Sequence, residues 1–567
     1  MPSFAVDDGF AYEVPDDLSD VRVGSLVRVP LGGRRVKGYV TSLRTGSPDR
    51  PLKAILAQSG DLPVFDRDLL QTVRWVSTHY VAPLSTVLGR CAPPNVPRSV
   101  GNGPDDAPTP AAAPRARSRY LVTGADPVAT AAPSIVPLVE AGRPVIVTAP
   151  TVEEAARVVS ALESDFGGIV MLATSQSSAA KRTRAWAKVT ESAGTIVVGT
   201  REVTFWGAGS IGLAVVIQEG RRGYKAKQTP TFNVRDVLRR RSAIERFGLL
   251  FVGAVPTTDA VAAGVEIVSD SRRIWPLTEV VDRREDSGRF ILDRTRAAIG
   301  SVLRGGGSVF VLANRRGYAA AFRCVRCREL RRCTNCGAGL ESSGTCPRCG
   351  TDHDACPICG GARFEPLGTG IGRTTDELKR MFGDVIGEVG DGSRIQVGTE
   401  RDLVELHPVD LAVAIDADGL MLAPHYRADE DALRLLVRVA MATTPGRGRK
   451  ALVQTGMPDH PVMEAVQSGR PMSFVEAELA VRKESGFPPV GELLALVTNA
   501  PPGETTPLLE AAGEGAAVLG PAALTGGHRW LLQGSDLGTV KVRLRSVVQG
   551  LRDAGWRVRV DADPVDL

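Results

Sequence analysis

The sequence predicts a multidomain α/β protein with parallel sheets, flanked by a small β-rich N-terminal domain and a small α+β C-terminal domain. Three observations carry this prediction. The chain has 567 residues, and at roughly 100–200 residues per domain it holds about three to five domains. Short apolar runs alternate with helical stretches from residue 119 onward, the pattern of βαβ units around a parallel sheet. Eight of the nine cysteines lie between Cys324 and Cys359, so a compact metal-braced module interrupts the second α/β region.

Hydrophobic residues make up 43% of the chain and charged residues 23%, enough apolar surface for sizeable cores. The formal charge of +5 is mildly basic, compatible with nucleic-acid contact without requiring it. The opening "MPSFAVDDGFAYEVPDDL" lacks the charged and apolar regions of a signal peptide, and no stretch approaches the ~18 apolar residues of a spanning helix. The expectation is a cytoplasmic protein, in contact with the nucleoid and no membrane, whose thiols stay reduced and serve metals.

Residues 1–92 open with β-like runs and glycine turns, "VRVGSLVRVPLGGRRVKGYVTSL", followed by the helical "DRDLLQTVRWVSTHYVAPLSTVLGRC". Residues 93–118 are rich in Pro, Ala and Gly and read as a disordered linker, with too little apolar surface to offset the entropy of ordering. Residues 119–284 form a first α/β lobe with strands in "PVIVTAP", "GIVMLAT", "TIVVGT", "LAVVIQEG" and "LLFVGAV". Residues 285–486 form a second, with strands in "GSVFVLAN", "RIQVGT", "LAVAIDAD" and "KALVQTG" and the cysteine module at 322–362. Residues 487–567 read as a separate α+β domain.

The cysteines form four C-x-x-C knuckles: Cys324/Cys327, Cys333/Cys336, Cys346/Cys349 and Cys356/Cys359. Each knuckle presents two thiolates to a metal, and two knuckles complete a tetrahedral four-cysteine zinc site. Eight ligands imply two zinc ions per chain. Arg326, Arg328, Arg331, Arg332 and Arg348 offset the negative charge of two zinc–tetrathiolate centres. Spacing leaves the pairing open between adjacent knuckles and a nested arrangement. The nested set puts Cys324, Cys327, Cys356 and Cys359 on one zinc and Cys333, Cys336, Cys346 and Cys349 on the other. His353 is a further candidate, though eight thiolates suffice. A closed four-cysteine site is structural and does no chemistry itself.

Taken in order, several segments resemble the primosomal protein N′ (PriA) family of replication-restart helicases. They are "FAYEVP" at 10–15, "VPLGGRR" from 29, "LKAI" at 52–55, "VGTREVTFW" at 198–206, "NRRGY" at 314–318, the eight cysteines, "PHYRADED" at 424–431, "VLGP…RW" over 518–530 and the final "VDADP". The resemblance implies two RecA-like lobes, a 3′-end DNA-binding domain at the N-terminus and a DNA-binding C-terminal domain. It places no winged-helix domain in this chain, because the 93–118 linker stands where the family carries one.

The ATPase motifs depart from that family. The phosphate-loop stretch "LVTGADPVATAAPS", 121–134, keeps Gly124, has no lysine after it, and carries Pro127, which lacks an N–H. The metal-binding and water-activating box reads Ile217, Gln218, Glu219, Gly220, and the next motif reads Gly253, Ala254, Val255. The arginine-finger run reads "RVAMATTP", 438–445. Each change removes a separate catalytic part, and an arginine finger alone is worth about 10³–10⁵ in rate. Binding of ATP and Mg²⁺ is therefore doubtful, and no catalytic residue is assigned.

For DNA, the resemblance maps a 3′-end pocket onto Phe10, Gly32 and Lys53, with Ala11 where the family has Asp. By pattern alone Phe10 and Tyr12 suit a core. The basic loop 219–230, with Arg221, Arg222, Tyr224, Lys225 and Lys227, has the cation–aromatic mix of a single-strand groove. The helix "RDVLRRRSAIER", 235–246, reads as a solvated face. Arg529 and Trp530 are candidates in the C-terminal domain, although Trp530 suits a core equally. The expected function is a monomeric restart protein that binds forked, D-loop and single-stranded DNA. It recruits the replicative helicase or its loader, and meets single-strand DNA-binding protein, without helicase activity. The alternatives are a residual ATP-dependent 3′–5′ helicase and a zinc-ribbon accessory factor.

Overall fold

In the computed structural model the described residues are 3–46, 51–98, 117–191, 194–269, 273–284, 289–313, 322–327, 329–335, 340, 344–346, 351–366, 371–444, 450–524 and 526–565. The N-terminal hairpin turns on two glycines. Leu26–Leu31 and Arg34–Tyr39 pair antiparallel with Leu31 opposite Arg34, leaving Gly32 and Gly33 as the two-residue loop. Their φ values of +56° and +76° are those a primed hairpin turn needs and side chains resist. Val21, Val27, Val29 and Ile55 form the small core beneath. Helix Arg67–His79 follows, capped by Asp66, whose carboxylate accepts from Leu69 N at 2.8 Å. Its apolar face belongs to the next domain: Phe65, Leu69, Val73 and Val76 share one core with the first lobe.

The five strands expected in that lobe all form, as Val145–Thr148, Val170–Ala173, Ile196–Gly199, Leu213–Ile217 and Gly248–Gly253. Among the described residues Ser118–Val122 and Glu266–Ser269 complete a seven-stranded, wholly parallel sheet. These two strands went unread because the first is short and borders the linker and the second is a largely exposed edge. The fully apolar strands lie at the centre of the sheet, where both faces are covered by helices.

The second lobe is another parallel sheet, in the order Thr278–Asp282, Lys450–Thr455, Leu411–Ala414, Val309–Leu312, Ile395–Gly398 and Ile386–Glu388. Thr278–Asp282 pairs with Lys450–Thr455, so the chain enters the second lobe before residue 278 and not after 284. The pairing partner that decides this is remote in sequence. The cysteine module leaves this sheet after Val309–Leu312 and is closed by antiparallel pairing of Phe322–Cys324 with Phe364–Pro366. The C-terminal domain is a four-stranded antiparallel sheet backed by helices Pro502–Ala512 and Gly538–Asp553. The layout expected from the resemblance thus holds: a β-rich N-terminal domain, two parallel-sheet lobes with the cysteine module in the second, and an α+β C-terminal domain.

A buried charge network joins the two lobes. On the first lobe, Asp259 lies 2.9 Å from Arg235; across the cleft, Arg427 Nη2 meets the same carboxylate at 3.0 Å. Glu430, on helix Ala428–Met441 of the second lobe, accepts from Thr258 N at 2.9 Å and Arg482 Nη2 at 2.7 Å, and pairs with Arg434. Glu430 is fully buried and Arg482 is 2% exposed. Burial alone raises both carboxyls. For Asp259, Arg235 and Arg427 outweigh it, and for Glu430, Arg434 and Arg482 do, holding both well below the ordinary range. Depressed carboxyls contribute stability above their unfolded pKa, about 4, and lose it as pH falls below that value. Acid titration of the urea midpoint should therefore show stability retained above about pH 5 and declining below about pH 4. Glu430→Ala, which strands buried arginines, should cost about 3–5 kcal/mol in the same urea assay.

Candidate nucleic-acid interface and metal centre

The N-terminal candidates are brought to neighbouring segments by backbone pairing. Glu13 N donates to Lys53 O and Ile55 N to Glu13 O, both at 3.0 Å, so the segment that follows Phe10 runs beside Lys53. Tyr12 Oη donates to Pro30 O at 3.1 Å, tying the same strand to the hairpin just before Gly32. Tyr12 packs against the core, whereas Phe10 is 57% exposed. Core patterning at Phe10 is therefore corrected: the ring projects to solvent, where a base can stack. Ala11, Gly32 and Lys53 are exposed beside it.

The basic loop is a second correction. Arg221 lies 2.9 Å from Glu154 and 3.3 Å from Glu400 of the other lobe. Arg222 pairs with Asp431 at 2.9 Å. Tyr224 is fully buried, its hydroxyl 2.7 Å from the Thr148 carbonyl and 2.6 Å from that of Ile217. Lys225 is buried against Asp561 at 3.0 Å. Arg221, Arg222 and Lys225 join domains, Tyr224 is packed within the first lobe, and none of the four projects as a free single-strand groove. In the C-terminal domain Trp530 is fully buried and donates from its indole nitrogen to Thr506 Oγ1 at 3.2 Å. It is a core residue, not a stacking platform. Arg529, half-buried next to it, has its charge disfavoured by burial.

The nucleotide region is occupied by the chain's own groups. Helix Pro127–Glu140 begins where a phosphate loop would hand its phosphate to a helix N-terminus. Asp126 caps that terminus, accepting from Val128 N at 2.9 Å, so a carboxylate already holds the site an anion would use. Gly124 has a structural reason of its own: a Cβ there would sit 1.6 Å from the Ile274 carbonyl oxygen. Glu219 is buried, accepting from Thr257 N at 3.0 Å and Thr257 Oγ1 at 2.7 Å, and Arg434 packs over Gly220. The residues present do not fit a magnesium–nucleotide. Sequence reading missed Asp126, although Asp-Pro is a helix-start signature that would have exposed it. The "NRRGY" segment lies outside the described residues, as do Arg447 and Arg449.

The outer cysteine knuckles converge. The sulfurs of Cys324, Cys327, Cys356 and Cys359 all lie within 4.8 Å of one another, with Cys324–Cys359 and Cys327–Cys356 at 3.5 Å. Four ligands tetrahedral about a zinc at about 2.3 Å put sulfurs about 3.8 Å apart, so this donor set fits. Of the two pairings open to the sequence, this is the nested one. Backbone N–H donation, led by Cys327, draws the Cys324 thiol down to about 7, while, against donation from the Glu329 N–H, burial and hydrogen bonds with the neighbouring thiols push Cys327 up to about 12, so the cluster releases its protons unevenly. Arg326 donates to Cys359 O at 3.3 Å, and Arg331 to His353 O at 2.8 Å. Cys333 and Cys346 pack together with Leu340, and His353 Nε2 lies 3.2 Å from Cys333. Cys336 and Cys349 lie outside the described residues, as do Arg328 and Arg348.

Residues 1–93 match the family model of the PriA 3′ DNA-binding domain. The probable replication restart protein PriA of Mycobacterium tuberculosis is 28% identical over 576 residues, spanning 89% of this chain and 86% of the relative. Over most of its length the chain is similar to the PriA replication restart proteins. PriA of Treponema pallidum is 24% identical over 657 residues, spanning 99% of this chain and 98% of that one. The Bacillus subtilis protein is 23% identical and spans 66% of this chain and 52% of that one. Among the described residues, no helix is long and apolar enough to cross a membrane.

Elemental analysis of the purified chain should return two zinc ions. Cys324→Ser combined with Cys356→Ser should lower the count to one and leave the inner set loaded.

Proposed function

We propose that this chain serves replication restart as a DNA-binding scaffold that has lost its motor. The N-terminal domain takes the 3′ end of a nascent strand at a fork or D-loop. Phe10 stacks on a base and Lys53 pairs with a phosphate. Two zinc ions brace the second lobe, Cys324, Cys327, Cys356 and Cys359 holding one and Cys333, Cys336, Cys346 and Cys349 the other. The assembled monomer, in the cytoplasm at the nucleoid, helps bring the replicative helicase or its loader to the fork alongside single-strand DNA-binding protein. It does so without hydrolysing ATP.

The observation that carries this reading is the Asp126 carboxylate on the Pro127–Glu140 helix terminus, in a loop without a lysine. A γ-phosphate there would face a fixed negative charge in place of a cation. The interlobe network supports it, because lobes that open and close around nucleotide would have to break buried ion pairs at Asp259 and Glu430. A motor needs that movement; a clamp does not.

A radiolabelled ATPase assay with forked DNA, run beside a fork-binding titration, tests the reading. Tight fork binding with no DNA-stimulated hydrolysis is expected, and measurable turnover would instead establish a residual ATPase. Phe10→Ala should weaken 3′-end capture by about 1–3 kcal/mol, one stacked base. Lys53→Ala should lower the salt slope of binding by about one unit.

A further inference from the structure

The helix read as a solvated face, Val234–Glu245, instead buries Arg235 and Arg241 against Asp259 and Glu245. Cations left in solvent lie on another helix of the first lobe, Ala179–Thr190, which carries four of them and no carboxylate. Its Ala185, Trp186 and Val189 are buried in the core that the lobe shares with the N-terminal helix. Lys181, Arg184 and Lys188 fall at i, i+3 and i+7, in one stripe turned away from that core, and all three are exposed. Among the described residues none of the three forms an ion pair, not even with Glu191 at the helix C-cap. Arg182, the fourth cation, turns to the lobe and lies 3.9 Å from Glu202. Nothing inside the fold calls for the stripe. Lys181 stands in the first turn, where the helix dipole favours a carboxylate, and Arg184 and Lys188 repel each other at i, i+4. Such a conflict with local preference is expected at a functional surface.

We propose that this stripe grips the sugar–phosphate backbone of a duplex DNA arm. It spans about 10 Å from Lys181 to Lys188, the length over which one strand of a duplex presents about three phosphates. Trp186, the one aromatic residue of the helix, is buried, so the bases of a single strand would find no stacking platform here. Three flexible cations without a ring suit sequence-blind contact with a duplex backbone. The helix is also fixed relative to the N-terminal domain. Trp186 donates from its indole nitrogen to Cys91 O at 2.9 Å, and Thr183 Oγ1 to Asn95 O at 3.3 Å, so the segment that leaves that domain is pinned across the helix. A duplex arm held by the stripe is thereby kept in a set relation to the domain that takes the strand end. The inference deepens the DNA-binding reading and rests on it, but uses a surface separate from Phe10 and Lys53.

The test is a fluorescence anisotropy titration of the full, zinc-loaded chain with a dumbbell duplex at several salt concentrations. A loop closes each end of the dumbbell, so it offers no 3′ hydroxyl. Lys181→Ala, Arg184→Ala and Lys188→Ala should each lower the salt slope of binding by about one unit, and the triple variant by about three. Alanine favours a helix, so these variants keep their fold, which an unchanged melting temperature checks. Arg157→Ala removes an exposed cation from helix Val152–Phe166, which packs in the other core of the same lobe, and should leave the slope unchanged. Phe10→Ala should also spare the dumbbell while losing the preference for a free 3′ end. A wild-type slope in the triple variant, the result for a stripe that serves an acidic protein, would overturn the proposal. So would an equal loss in Arg157→Ala, the sign of bulk charge alone. A chain that captures a free 3′ end but ignores the dumbbell would overturn it and leave the N-terminal reading standing. A chain that binds neither would overturn both.

Discussion

The buried charges between Asp259, Glu430 and their arginines are the constraint on which the rest depends. An ion pair removed from water is not in itself a strong source of stability, because desolvation offsets much of the attraction. Its effect is on geometry. Arg427 and Arg482 each have a carboxylate on hand, and separating the lobes would strand charges in a dry interior. The contact between the two parallel-sheet lobes is thus bridged by buried ion pairs.

That joint explains the fate of the basic loop. Arg221, Arg222 and Lys225 each find a carboxylate in another domain: Glu400, Asp431 and Asp561. With Tyr224 sealed beneath the loop by two carbonyls, the segment fastens the first lobe to both the second lobe and the C-terminal domain. Charge committed inside the molecule is unavailable to a phosphate. Lys53 on the N-terminal domain, by contrast, is exposed.

The degenerate nucleotide region follows the same logic. Asp126 caps the start of helix Pro127–Glu140, and Glu219 accepts from Thr257 through one oxygen while Arg235 lies 3.5 Å from the other. In the cysteine module, by contrast, the four outer sulfurs gather within 4.8 Å of one another, a geometry that could hold a metal ion.

By itself the sequence determined the parallel strands, the four knuckles and the loss of the phosphate-loop lysine, because each of these is written in local spacing or in the identity of one side chain. Short apolar runs bounded by turn residues and alternating with helical stretches form the strands of a parallel sheet, and C-x-x-C fixes two sulfurs on one face. Only the tertiary structure decided which knuckles converge, that Thr278–Asp282 belongs to the second sheet, that Phe10 faces water and Trp530 does not, and that Arg222 is committed to Asp431. Those outcomes depend on which remote residue arrives opposite. A carboxylate two hundred positions away, such as Asp431 beside Arg222, leaves no trace in the local pattern that would reveal it.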